Sequence, residues 1–435
     1  MRRFFPALAW LTAAAGLLAQ TPEISLTSVP AMGSSNDLSG LVTNVAPAGY
    51  RVAVYIYVLG WWDKPSDAAP LTVIRNDRTW TCDITTGGAD AYATKIAAFL
   101  VPQGYTPPQA HGTLTLPAAL DANSVAKIIT DRPSQNAFHW CGYDWDVKNS
   151  GSFLFGPGPN LFSDTSQNVW VDGSGRLHLR ITFRNGQWQC AEVISRRAFG
   201  YGTYRFFLDS AADALDPNVV LGLFTYDDDP TATGGHREID VELSRWGNAA
   251  DPTNAQFVVQ PYDLSGNLTR WTIPAGTTPT TDSFTWSNGR VDFVSHHGTS
   301  APPPVSVPQI AAWSNTGASV PVPGDERVHL NLWLFTGAAP ANGQETEVVI
   351  SRFAFVPSPP AAPRVRSASL DGTGTFHLHL TGDPQLWYRF ESSSDLANWN
   401  PLATMIAPEA DFELTNADAG STMRRFFRVA VVAGQ

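Results

Sequence analysis

His236-Arg237-Glu238-Ile239-Asp240-Val241-Glu242 is the stretch on which the reading of this chain turns. Three carboxylates alternate with two β-branched apolar residues, the two-residue period of a strand. In a strand, Glu238, Asp240 and Glu242 share one face while Ile239 and Val241 face a hydrophobic layer. A helix would scatter the same acids around its circumference. Like charges held together raise at least one pKa, a cost that a fold keeps only where something offsets it. Glycoside hydrolysis offers such a use, because it needs a protonated acid beside an ionised carboxylate, about 5–5.5 Å apart in retaining enzymes. The Cα atoms of Glu238 and Glu242 are roughly 13 Å apart in a straight strand, so their long side chains have to converge along a curved one. The competing reading is an exposed edge strand whose charges deter aggregation.

The flanks favour the first reading. Cys190-Ala-Glu192, Phe199-Gly-Tyr201-Gly-Thr-Tyr204 and Leu223-Phe224-Thr225-Tyr226 precede the acidic strand, and Asn331-Leu332-Trp333 follows it. With Glu238-Ile-Asp240-Val-Glu242 they resemble, over roughly residues 138–356, glycoside hydrolase family 16, the β-jelly-roll glucanases. The unbulged acidic motif is similar to that of lichenases and xyloglucan transglycosylases. The resemblance implies an all-β chain whose catalytic domain is a concanavalin A-like jelly roll. It implies Glu238 as the nucleophile that forms a glycosyl-enzyme intermediate, Glu242 as general acid and then base, and Asp240 as the residue that biases proton placement. It also implies Glu192, Tyr226, Gln256 and Trp333 along the sugar subsites, with His236 either a sugar contact or a structural histidine. The expected activity is an endo-acting, retaining β-glucanase, with 1,3-1,4-β-glucan favoured. The alternatives are another polysaccharide (laminarin, xyloglucan, agar, carrageenan), transglycosylation, or glucan binding without turnover.

Departures from the family bear on substrate. Two residues after Glu192, where lichenases carry an Arg, stands Ile194, with Arg196 or Arg197 as compensating cations or plain surface charges. Val258 and Leu334 replace polar residues of relatives. A site that loses hydrogen-bonding groups loses discrimination, so strict lichenase specificity is not expected.

At 435 residues the chain is too long for one core. Arg2 and Arg3 followed by the apolar run Phe4 to Leu18 read as a signal peptide over residues 1–19, with cleavage after Ala15 or Ala19. The expectation is a secreted, periplasmic or cell-surface protein with no membrane segment after cleavage. A net charge of -11 disfavours nucleic acid and anionic membranes. A polysaccharide is the expected partner and a monomer the expected state. With 35 glycines, 33 prolines and no long helical periodicity, the chain reads as β-modules. Residues 22–118 read as an immunoglobulin-like sandwich, 120–136 as linker-like, and 137–356 as the catalytic domain. Residues 357–363 read as a stiff Pro-rich linker and 364–435 as a small β-module.

Trp61 and Trp62 in the first module, and Trp387 and Trp399 in the last, offer sugar-stacking faces but are read first as core. Three cysteines make no disulfide scaffold. Cys190 matches a position that is disulfide-bonded in some relatives, with Cys141 as substitute partner and buried free thiols as the alternative. No cofactor is required. Relatives often hold a structural calcium, for which Asp227-Asp228-Asp229 is the one acidic run on offer; a solvated turn is the plainer reading. His296 and His297 lack a third ligand, so no metal is assigned.

Overall fold

The computed structural model describes residues 20–229, 232–299, 309–358, 362–384, 386–416 and 425–432. The signal-peptide reading at residues 1–19 lies outside them, as do parts of the two Pro-rich stretches at 300–308 and 359–361. Among the described residues no helix is long and apolar enough to cross a membrane. The described residues divide into two compact units, 20–30 with 35–131, and 31–34 with those from 132 onward.

The first unit holds two antiparallel sheets. One joins Glu23–Ser28, Leu38–Thr43 and Thr79–Cys82. The other runs His111–Thr113, Trp61–Lys64, Tyr50–Tyr57, Lys95–Pro102, Ala126–Asp131, with Leu71–Val73 beside Tyr50–Tyr57. Val52 to Ile56 are buried on both faces of the central strand, as β-branched and aromatic residues between two covered layers should be. Ala53 and Tyr55 pack with Trp61, Phe99 and Leu120. Leu120 belongs to the helix Ala118–Asn123, and Ala126–Asp131 pairs with Lys95–Pro102. The segment read as linker-like is therefore structured. Its strand lies at a sheet edge with one face covered, and Ile129 on the other is 47% exposed, so it lacks the apolar density of a core strand. Trp61 is buried in the core as read, whereas Trp62 is 38% exposed.

The second unit is built on a 16-stranded sheet. Its main path runs Leu268–Trp271, Ala255–Val259, Ile239–Leu243, Val219–Tyr226, Arg327–Leu334, Gln187–Ala198, Leu177–Arg184, Thr346–Pro357, Gly202–Leu208, Thr280–Ser287, Arg290–His297, Gln309–Asn315. The path doubles over on itself: Phe257, near one end, stacks on Phe293, near the other, with ring centroids 5.0 Å apart. One core holds Ile239, Val241 and Phe257 from the first half with Tyr204, Phe206 and Phe284 from the second. That is the jelly roll, a sheet closed into two layers so that every strand has an inner and an outer face. The expected hairpins form, Val169–Val171 against Leu177–Arg184 and Thr280–Ser287 against Arg290–His297.

Residues beyond 362 fold into two three-stranded sheets around Leu378, Leu380, Tyr388, Phe390, Phe412 and Leu414. Tyr388 and Phe390 take the inward positions of Trp387–Ser393, so alternation leaves Trp387 partly exposed. Trp399 is also outside this core, with the Arg428 guanidinium 4.3 Å from its ring. Both tryptophans depart from the core role read for them. No disulfide forms, since Cys82, Cys141 and Cys190 are all free thiols. Cys141 Sγ accepts from the Phe353 N–H and Cys190 Sγ donates to Asn160 Oδ1, both at 3.4 Å.

Candidate active site

The strand Ile239–Leu243 is paired on both sides, to Val219–Tyr226 and to Ala255–Val259. It is interior to the sheet, so the edge-strand reading of its acids does not hold. Ile239, Val241 and Leu243 are fully buried in the core, which turns Asp240 and Glu242 to the other face. Register then aligns that polar face in rows across the sheet. Glu242 lies between Gln256 and Gly222, Gly222 faces Asn331, and Asn331 faces Glu192. In the next row Asp240 lies between Val258 and Phe224, and Phe224 faces His329. A Cβ at Gly222 would come 2.4 Å from Asn331 Oδ1, so a larger residue there would displace the Asn331 amide.

Glu238 precedes the strand and its carbonyl accepts from Gln260 N at 3.1 Å. Asp240 is buried, while Glu238 and Glu242 are partly exposed. Gln260 Nε2 donates to Asp240 Oδ2 at 3.1 Å, and Gln256 Nε2 donates to Glu242 Oε2 at 2.7 Å. Burial, then the charge of Glu242, pushes the Glu238 carboxyl up to about 8 against its hydrogen bond with Asp240. Burial pushes Glu242 up to about 7 against the Gln256 amide and Arg270. Burial, then the charges of Glu238 and Glu242, holds Asp240 well above the carboxylate range. All three carboxyls are thus held above their usual range, and a negative charge on one opposes ionisation of the next. A protonated Asp240 donates to Glu238 and favours charge there.

The chain enters this strand through a left-handed turn. Gly235, His236 and Arg237, the last residues of the short helical turn Thr233–Arg237, have φ of 58°, 63° and 51°. Two non-glycine residues in that region cost about 1–2 kcal/mol each and persist only when their surroundings hold them. Arg237 pairs with Asp227 and donates to Val322 O at 2.9 Å, and His236 Nδ1 bonds Asp227 O at 2.8 Å. His236 also stacks on Tyr226, centroids 4.8 Å apart, which brings two predicted subsite residues together beside Glu238. Asp227 is thereby spent: its carboxylate takes Arg237 and the N–H groups of Asp229 and Asp325. Asp227 is thus a structural clasp on the turn.

Glu192 is buried, and both its oxygens are committed. Lys148 Nζ donates to Oε2 at 2.7 Å and His329 Nδ1 bonds Oε1 at 2.8 Å. Burial works to raise its pKa, but Lys148 and then His329 outweigh it and hold the carboxyl below its usual value. Neither arginine compensates for Ile194. Arg196 pairs with Asp146, and Arg197 lies over the rings of Tyr143 and Phe199. The cation is Lys148, which reaches Glu192 from a strand end 44 residues earlier. Trp333 is buried against Trp246, centroids 6.0 Å apart, and Trp246 packs on Phe335. Sequence reasoning missed Lys148, His329, Gln260 and Arg270. Two of these carried a signal: His329 alternates with Asn331 and Trp333, and Gln260 with Gln256, on strands already identified.

No family model matches the chain, and no curated protein matches it. Among solved structures, the chain is similar to a β-glucanase of Bacillus licheniformis at 18% identity and a TM-score of 0.37, covering 51% of this chain and 97% of that one. A β-1,3-1,4-glucanase (lichenase) derived from a mouse hindgut metagenome aligns at 21% identity and a TM-score of 0.36, covering 51% and 95%. A pseudo β-1,3-glucanase of Mycobacterium tuberculosis aligns at 21% identity and a TM-score of 0.37, covering 48% and 88%. Each covers about half of this chain and nearly all of its own.

Proposed function

We propose that the chain is an exported, endo-acting, retaining glycoside hydrolase of β-glucan, with 1,3-1,4-β-glucan favoured. The observation that carries this reading is the placement of three carboxyls together, Glu238 at the entry of an interior strand and Asp240 and Glu242 on one face of it, with Gln260 on Asp240 and Gln256 on Glu242. Glu238 attacks the anomeric carbon. Glu242 protonates the leaving oxygen and then takes a proton from the incoming water, which releases the sugar from Glu238. Asp240 supports the charge on Glu238 before attack and after release. Tyr226, His236, Gln256 and Trp333 line the sugar path in this proposal, and Glu192 acts within its Lys148–His329 cluster. That commitment of Glu192 favours a second reading, glucan binding without turnover.

Reducing ends released from lichenan, laminarin, xyloglucan, agar and carrageenan by wild type and by Glu238→Gln separate the two. Turnover by wild type, abolished in the variant, is the expected result. Equal and negligible release by both on every polysaccharide ends the hydrolase reading.

A further inference from the structure

The N-terminal unit contains a cluster that the glycosidase reading leaves unused. Asp63 and His111 are brought together because Trp61–Lys64 pairs with His111–Thr113, with a register shift at Trp61 and Trp62. Asp67 comes from the tight turn after that strand, closed by Ala69 N donating to Ser66 O at 3.0 Å. His111 Nε2 is 3.1 Å from Asp67 Oδ1 and 3.8 Å from Asp63 Oδ1, and one donor atom of each residue lies within 4.8 Å of the others. Among the described residues, these three form the one group of histidine, cysteine and carboxylate side chains that converges in this way.

Asp63 is the informative member. Its side chain is 2% exposed, its Oδ1 accepts from Ala110 N at 3.0 Å, and its buried Oδ2 has no hydrogen-bond partner. Nearby donors are committed elsewhere: Tyr55 Oη donates to Pro108 O at 2.7 Å, and Lys64 pairs with Asp90 at 2.5 Å. A buried carboxylate with an orphaned oxygen is costly, and a cation held through Oδ1, the oxygen nearest His111 Nε2, offsets that cost.

We infer that Asp63, Asp67 and His111 form a binding site for a divalent cation of the zinc class. Ligand distances of about 2.0–2.2 Å in a tetrahedral site place donor atoms roughly 3.4 Å apart, between the 3.1 Å and 3.8 Å that separate His111 Nε2 from Asp67 Oδ1 and Asp63 Oδ1. An imidazole nitrogen with two carboxylates suits zinc, nickel or cobalt better than magnesium or calcium, which prefer all-oxygen shells. The half-exposed sides of His111 and Asp67 leave the fourth position to water. The surroundings orient the ligands: the Ala110 N–H fixes Asp63, and Trp62 stacks on the His111 ring, held by its own hydrogen bond to Val58 O. The ion clasps a strand, the turn after it and the opposing strand of one sheet, and so stabilises this unit independently of any catalysis.

Equilibrium dialysis of the full chain, stripped with chelator and titrated with zinc, tests the inference. One saturable zinc per chain is expected, together with a cobalt complex showing the visible absorption of a tetrahedral site. Loss of a ligand in Asp67→Asn or His111→Gln, both at half-exposed positions, weakens zinc binding by about a hundredfold or more, at or beyond the effect of removing an outer-shell partner. The unfolding temperature of wild type rises with zinc concentration and that of the variants does not. No saturable uptake by folded wild type overturns the inference. Equal uptake by wild type and both variants overturns it too.

Discussion

Asp240→Asn is the most revealing perturbation of the acidic strand. The side chain is buried, and its carboxyl is held well above the ordinary value of 3.8 by burial and by the charges of Glu238 and Glu242. A carboxyl whose folded pKa is raised leaves stability at its full value below the unfolded pKa. That stability is lost at about 1.4 kcal/mol per pH unit as pH climbs from there toward the folded value. Between the unfolded value of about 3.9 and pH 7 the loss can be no larger than about 4 kcal/mol, the bound set by those two pH values alone. Asparagine reproduces the protonated acid without that proton: its carbonyl accepts from Gln260 and its amide donates to Glu238. The variant should therefore be more stable than wild type at pH 7, by an amount that shrinks to nothing near pH 4. Urea unfolding of both proteins across that range measures it. A variant no more stable than wild type at pH 7, or a gain of the same size at pH 4, would refute the buried-proton argument. Turnover supplies a second arm. Asparagine keeps the donor to Glu238, whereas Asp240→Ala removes a hydrogen bond to a charged group worth about 1.5–3 kcal/mol, a further ten- to hundredfold in kcat/KM.

Three further outcomes follow from the same geometry. The kcat/KM profile should be a bell centred near neutrality, because the singly ionised form of the Glu238–Glu242 pair dominates between about 7 and about 8; an optimum below pH 5 would mean that these carboxyls titrate like solvated ones. Replacing His236 by Gly or by Ala removes the Tyr226 stack in both cases, but only Gly relieves the left-handed backbone at φ 63°. The Gly variant should unfold at higher urea, by about 1–2 kcal/mol, and equal midpoints would show that the turn carries no strain. Lys148→Met strands the Glu192 carboxylate with His329 alone and should cost about 3 kcal/mol at pH 7. Adding Glu192→Gln should restore part of that, measured in the same unfolding assay, and a double variant no better than the single one would count against the pair.

Strand alternation alone determined the division of Glu238, Asp240 and Glu242 from Ile239 and Val241, because a two-residue period is a property of the local backbone. The same local signal placed the hairpin strands of the jelly roll. What only the tertiary structure decided depends on strand order and register, which join residues far apart in the chain. Lys148 and His329 meet Glu192 across separations of 44 and 137 residues, and no local pattern links them. The left-handed entry at His236 and Arg237 exists because Asp227 and Val322 hold it, and the edge strand Ala126–Asp131 needs Lys95–Pro102 as its partner. Asp63 and His111, 48 positions apart in the chain, likewise become neighbours only when two strands pair.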